Sequence, residues 1–273
     1  MRALAAHRFT QQAACTVRRR PKGRRRYGAV VVDEAVHAAQ YVSQVDRKVI
    51  QLFALVGDAA TGATHALLAA DRGAASTLIA REEEVDALYR GVEASVQDYI
   101  ASQRCPPELL RYLIAVLRLL PELERSGDLV EHIARRSTST LASEMSARAR
   151  GLIEQMGEVA ATMWHMAADA YGERSPEAAI RLDELDDEMD GLHGAFMEEL
   201  ANGAMAIPLV IELVLVGRFY ERLGDHAVNI ARRIPPRVGD ASVGGGGGEQ
   251  ENVAPVRLRR QGAGLRWRAE RST

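Results

Sequence analysis

The sequence predicts an all-α protein built as two tandem three-helix bundles. Three observations carry that expectation. Only 5% of the 273 residues are aromatic while 47% are apolar, so Leu, Val, Ala and Met must fill the core, a palette that packs helices better than sheets. Apolar residues recur at alternating steps of three and four, and no stretch alternates with the period of a strand. Finally, the second half of the chain repeats the first.

Six helices are expected, over residues 33–71, 74–102, 107–141, 144–171, 175–202 and 207–234. The first is rich in Ala, and the second carries Val85 and Leu88 in its seam. Pro106–Pro107 opens the third, where a first-turn proline loses no hydrogen bond. Its stripe runs Leu109, Tyr112, Val116, Leu119, Leu123, then Ser126, Val130 and Ile133. Pro121 falls in its middle and should kink it, at about 3 kcal/mol if unrelieved. The fourth places Leu152, Met156, Val159, Met163, Met166 and Ala170 on one face, and the fifth has Met189 and Leu192 in its seam. The sixth starts around Pro208, runs Leu209, Leu213, Val216, Tyr220, Leu223, Ala227, Ile230 and Ile234, and is stopped by Pro235–Pro236. Its apolar stretch Ala204 to Gly217 is too short for a membrane span and is interrupted by Glu212, so it reads as a buried helix. Long helices with short connections imply antiparallel bundles, here 33–142 and 143–238.

The formal net charge of −2 averages unlike segments. Residues 1–30 carry nine Lys and Arg and no acid, residues 249–273 carry six Arg and three Glu, and residues 31–248 carry 20 basic and 34 acidic side chains, a net −14. The start, with RRRPKGRRR and no apolar periodicity, reads as an unstructured basic extension over 1–32. Its charge alone suits nucleic acid or an anionic membrane, and its acid-free, Arg-rich composition also matches an organelle targeting segment. Residues 239–273 read as a disordered tail of glycines and arginines, broken by Gly244 to Gly248. Cys15 and Cys105 are too few for a disulfide framework and have no metal-type spacing, which places the chain in a reducing cytoplasm.

The repeat is explicit in the residues. Glu124-Arg-Ser-Gly-Asp128 before Ile133-Ala-Arg-Arg136 matches Glu221-Arg-Leu-Gly-Asp225 before Ile230-Ala-Arg-Arg233 at an offset of 97. Glu82 to Leu88 matches Asp186 to Leu192 at an offset of 104. Each unit therefore carries two acid-x-x-x-Asp pairs: Glu82/Asp86 with Glu124/Asp128, and Asp186/Asp190 with Glu221/Asp225. The i,i+4 spacing sets both carboxylates of a pair on one helix face, beside the apolar seam. A single such pair is normally a solvated helix face. Four of them in the same order twice point to cation sites, provided the second and third helices of each unit are neighbours. All-oxygen donors suit hard divalent or iron-type ions. His132, His193 and His226 are candidate supplements. Gly127 and Gly224 sit inside helices, where Gly costs roughly 1 kcal/mol relative to Ala, so a close approach is expected at both. Arg125 and Arg222 can neutralise the acids or receive phosphate, though an adjacent salt bridge is the simplest role.

On these residues the chain resembles the PhoU family, the accessory regulators of bacterial high-affinity phosphate uptake. ERSGD and ERLGDHAVNIARR carry the resemblance on the third and sixth helices, with acid-x-x-x-Asp on the second and fifth. It covers about 33–235 and misses both tails. It implies two three-helix bundles with multinuclear metal clusters of divalent or iron-type ions on their surfaces. By position it assigns those metals to Glu82, Asp86, Glu124, Asp128, Asp186, Asp190, Glu221 and Asp225. His226 and Asn229 match the family string in the second unit only, where the first has Leu129 and His132. The resemblance further implies a negative regulator that contacts a PhoR-type sensor histidine kinase and the ATPase subunit of the phosphate ABC transporter. A homodimer is expected, in the cytoplasm and peripheral to the inner membrane face through its partners.

The body carries no nucleophile–base arrangement, nucleotide motif or phosphate-cradling glycine loop, which favours a non-enzymatic regulator. The alternative is a ferritin-like oxidase or storage protein, whose ligands point into a four-helix core; Asp190-x-x-His193 is the one comparable spacing. A nucleic-acid role would rest on the Arg-rich tails alone, not on the folded body.

Overall fold

The apolar stripes bury themselves between seven helices in the computed structural model, which describes residues 25–102, 105–137, 139–174 and 176–234. These are α1 (Arg25–Ala69), α2 (Arg72–Ser102), α3 (Pro107–Ala134), α4 (Ser139–Glu144), α5 (Ala147–Glu173), α6 (Pro176–Asn202) and α7 (Ile207–Ala231). There is no strand among the described residues. Helix α1 starts at Arg25, so the basic extension expected over 1–32 is helical in its last part. Residues 1–24 and 235–273, with the tails read there, lie outside the described residues.

Two boundaries differ from the sequence reading for local reasons. The third helix does not reach 141. Its end tightens as Arg136 N–H donates to Ile133 and Ser137 N–H to Ala134, each at 3.0 Å, and the chain restarts as the short α4. Helix α5 begins after Ser146, whose hydroxyl accepts from Ala149 N–H at 3.0 Å, a side-chain N-cap. Pro121 lies inside α3, and the helix runs through it unbroken from Pro107 to Ala134.

Helix α1 packs on α2 and α3, and α5 packs on α6 and α7. The two bundles meet along α1–α5 and α3–α7, so the described residues form one compact unit. The duplication extends to backbone detail: Ala70 and Arg174, which end α1 and α5, both adopt left-handed φ values, 54° and 58°. Leu52 and Phe53 of α1, Leu119 and Leu123 of α3, Trp164 of α5, Phe196 of α6 and Leu223 of α7 are fully buried, each contributing about 1.5–3 kcal/mol of transfer free energy. Trp164 Nε1–H donates to the Leu223 carbonyl at 3.2 Å, and the buried Tyr220 hydroxyl pairs with Thr64 at 2.7 Å. Gly157 on α5 lets Thr64 approach so closely that a Cβ there would lie 2.6 Å from Thr64 Cγ2.

Over Val36–Ala69, α1 is long and apolar enough to cross a membrane by length and composition. Its apolar face is instead spent on the core, where Val49, Leu52, Phe53, Ala60 and Leu67 are solvent-free. The run Ala204 to Gly217 corrects the expectation of a buried helix. Leu209, Leu213, Val216 and Gly217 are buried, but Ile207, Ile211 and Leu215 on the opposite side of α7 face solvent.

Candidate functional site

Because α2 packs on α3 and α6 on α7, the acid pairs of each unit are brought together from two helices. In the first unit the pKa of both Glu124 and Asp128 is raised, in small part by the charge of Asp86. The larger cause is partial burial in each case, and Arg125 opposes the shift at Glu124, His132 that at Asp128. Asp86 also receives Arg90 Nη1 at 2.7 Å. The side chain of Glu82 lies outside the described residues.

The second unit is tighter. Partial burial, then the negative charges of Asp225 and Asp190, push the Asp186 carboxyl up to about 6. Glu221 is raised by burial, with Asp225 and Asp190 adding to it and its ion-pair partner Arg218 pulling the other way. Gly224 makes the approach possible. A Cβ at that position would stand 3.3 Å from Asp186 Oδ1, tighter than ordinary contact, so the costly glycine gives the carboxylate room against α7.

All the described acids assigned from sequence thus fall into two clusters, Asp86/Glu124/Asp128 and Asp186/Asp190/Glu221/Asp225. Their donor chemistry fits a hard cation: oxygens only, with Glu124, Asp128, Asp186 and Glu221 raised in pKa first by partial burial and then by neighbouring carboxylates. As they stand, no three His, Cys, Asp or Glu among the described residues converge closely enough to hold an ion.

The candidate supplements go elsewhere. His226 is buried at the α3–α7 seam rather than in the acid cluster. Ser126 Oγ–H donates to the Glu122 carbonyl at 2.6 Å, so the 2.9 Å contact between His226 and Ser126 is a donation from Nδ1–H. Nε2 stands 3.7 Å from the Glu122 carboxylate. His132 is exposed and lies against Phe219, with ring centroids 5.4 Å apart. His193 is half-buried on α6, and burial lowers its pKa, followed by the charge of Arg218. Arg125 and Arg222 are exposed, and Asn229 is half-buried one turn beyond Asp225.

Sequence reading missed a second polar constellation. Asp46 Oδ1 accepts from the hydroxyls of Tyr112 and Tyr171, at 2.8 Å each, and from Arg174 Nη2 at 2.7 Å. The Arg174 guanidinium lies 3.9 Å from the Tyr171 ring centroid. This pin joins α1, α3 and the end of α5. Its partners are separated by 66 to 128 residues, and no local pattern in the chain announces it.

The PhoU domain model matches residues 49–137 and 153–234, one copy in each bundle. The "Phosphate-specific transport system accessory protein PhoU homolog 1" of Mycobacterium tuberculosis is 30% identical over 198 residues, covering 71% of this chain and 90% of that protein. The PhoU homolog of Zymomonas mobilis is 30% identical over 180 residues, covering 64% of this chain and 76% of its own length. The crystal structure of PhoU from Pseudomonas aeruginosa superposes with a TM-score of 0.66 at 24% identity, covering 71% of this chain and 94% of that one, and shares the fold. With both copies of the domain matched and each paired-acid cluster lying within one copy, the chain belongs to the PhoU family.

Proposed function

We propose that this chain is a non-enzymatic negative regulator of phosphate uptake and phosphate-starvation signalling. It restrains a PhoR-type sensor histidine kinase and the ATPase subunit of the phosphate ABC transporter from the cytoplasmic side, as a homodimer. Its relatives are named as accessory proteins of phosphate-specific transport, which supports the uptake role. The observation that carries the reading is the doubled acid cluster on a doubled PhoU domain. In this reading, divalent or iron-type ions are held by Asp186, Asp190, Glu221 and Asp225, and by Glu82, Asp86, Glu124 and Asp128. A bound cation would offset the repulsion that lifts Asp186 and draw the carboxylates inward.

Deleting the gene in its host should raise expression of phosphate-uptake genes in high phosphate, and unchanged expression would remove the regulatory role. Metal content of the purified protein should fall sharply in Glu221→Ala/Asp225→Ala, whereas equal content in variant and wild type would remove the metal assignment. The ferritin-like alternative is disfavoured by where the donors sit. The buried polar residues among those described are Thr64, Ser126, Ser137 and His226, with no carboxylate in the core where such ligands would have to point.

A further inference from the structure

Helices α3 and α7 run antiparallel, and four contacts fix their register. Arg136 Nε meets Glu212 at 2.9 Å, the His132 ring meets Phe219, His226 meets Ser126, and Arg233 Nη1 meets Glu122 at 3.3 Å. In that register α3 presents Ile114, Arg118 and Arg125 outward at helical spacing. Helix α7 presents Ile211, Leu215 and Arg222 at the equivalent positions, 97 residues on, with Ile207 one turn earlier.

This face gathers most of the exposed apolar bulk of the protein. Five large apolar side chains are exposed among the described residues, and four are here: Ile207 at 75%, Ile211 at 56%, and Leu215 and Ile114 at 38% each. The charge between them is positive. The seam's acids are already engaged, Glu212 by Arg136 and Glu122 by Arg233. Arg118, Arg125 and Arg222 make no ion pair with the described residues, although the sequence between 31 and 248 carries a net −14. Ile114 and Ile211 lie at opposite ends of the pair. In the observed register they are about 23 residues of helix apart, roughly 35 Å. An occupant that covers both ends and meets positive charge between them must be broad, negative at its surface and apolar just beneath. Phospholipid headgroups over acyl chains have that profile.

We propose that the outer face of the α3–α7 pair is a docking surface for an anionic phospholipid membrane. The isoleucines and Leu215 enter the headgroup–acyl boundary, the arginines meet lipid phosphates through their planar forks, and the acid clusters on the flanking α2 and α6 sides stay in water. The test is co-sedimentation of the full chain with vesicles of phosphatidylcholine alone and of phosphatidylcholine mixed with phosphatidylglycerol. The mixed vesicles should bind the protein and the neutral ones should not. Each arginine near an anionic surface is worth roughly a fivefold change in partition, so Arg118→Ser/Arg125→Ser/Arg222→Ser should weaken binding about a hundredfold. Ile207→Ser/Ile211→Ser should weaken it about tenfold. All five side chains are exposed, and circular dichroism of each variant would show the fold retained. Both Arg-rich ends are unchanged in the variants, so binding that neither variant reduces would assign the lipid contact to those ends and overturn the proposal. Equal binding to neutral vesicles would overturn it as well. So would failure of the wild type to bind vesicles, including the case in which the same residues capture a soluble acidic protein instead.

Discussion

Asp186 offers the sharpest test of what the acid cluster costs and what relieves it. Its carboxyl rises from an ordinary 3.8 to about 6 because the side chain is half-buried and faces Asp225 and Asp190. A carboxylate with a raised folded-state pKa binds its proton more tightly in the fold than in the unfolded chain. Its contribution to stability is therefore full below about pH 4 and is lost as pH rises through about 6. At about 1.36 kcal/mol per unit, that shift sets a ceiling of about 3 kcal/mol; solvent screening of a half-exposed group brings it to about 1 kcal/mol. Asp186→Asn, which keeps the shape and removes the charge, should therefore stabilise the chelator-treated protein at pH 7.5 by about 1 kcal/mol, or about 3 °C in Tm for a domain of this size. At pH 4 the two melts should coincide. Adding a divalent cation should reverse the order, because the wild type gains the binding free energy and the variant, one donor short, does not. A lower Tm for Asp186→Asn in chelator at pH 7.5, or the same offset at both pH values, would refute the reasoning that the cluster is held together against its own charge.

The other expectations concern the frame that carries the site. Asp46→Ala strips the partner from Arg174, whose side chain is 9% exposed, and should lower unfolding free energy in urea by about 3 kcal/mol; a loss under about 1 kcal/mol would show that the pin is ornamental. Gly157→Ala drives a methyl into Thr64 and should destabilise by about 2 kcal/mol despite its better helix propensity, whereas Gly151→Ala, with nothing within 4 Å, should gain about 1 kcal/mol. His226 is held below its ordinary pKa, first by burial, with Arg222 and Arg125 adding and Glu122 opposing. Its neutral form is favoured in the fold, so stability should fall as pH drops from about 7 toward 5, and His226→Gln should flatten that decline in a pH series of thermal melts.

What was legible in the chain is what repeats locally. The stripes at steps of three and four placed six of the seven helices, because burying one face of a helix requires that spacing whatever the helix packs against. The acid pairs were legible for the same reason, and Gly224 was a sound signal that something approaches, which proves to be Asp186. What escaped depends on distant partners. Asp46, Tyr112, Tyr171 and Arg174 share no pattern in the chain, Tyr112 reading only as part of an apolar stripe, until three helices bring them within 3 Å. Ile207, Ile211 and Leu215 looked like core because hydrophobicity alone does not say which side of an apolar helix finds a neighbour. The break before α4 has no proline or glycine to mark it.

The repeated string on α3 and α7 turns out to serve two sides of one helix. Its acids, Glu124 and Asp128 or Glu221 and Asp225, look toward α2 or α6, where the charge clusters form. Ser126, His226, Arg136 and Arg233 look the other way, into the seam between the bundles. The last arginine of each copy crosses to the opposite copy, Arg136 to Glu212 and Arg233 to Glu122, so each unit is clamped by the other's string. A cation bound there, as proposed, would act on a helix whose far side is the joint between the units. Substitutions at Arg136 or Arg233 should loosen that joint while leaving every carboxylate in place. They separate the two jobs of the motif, one electrostatic and one mechanical, that the linear sequence presents as a single block.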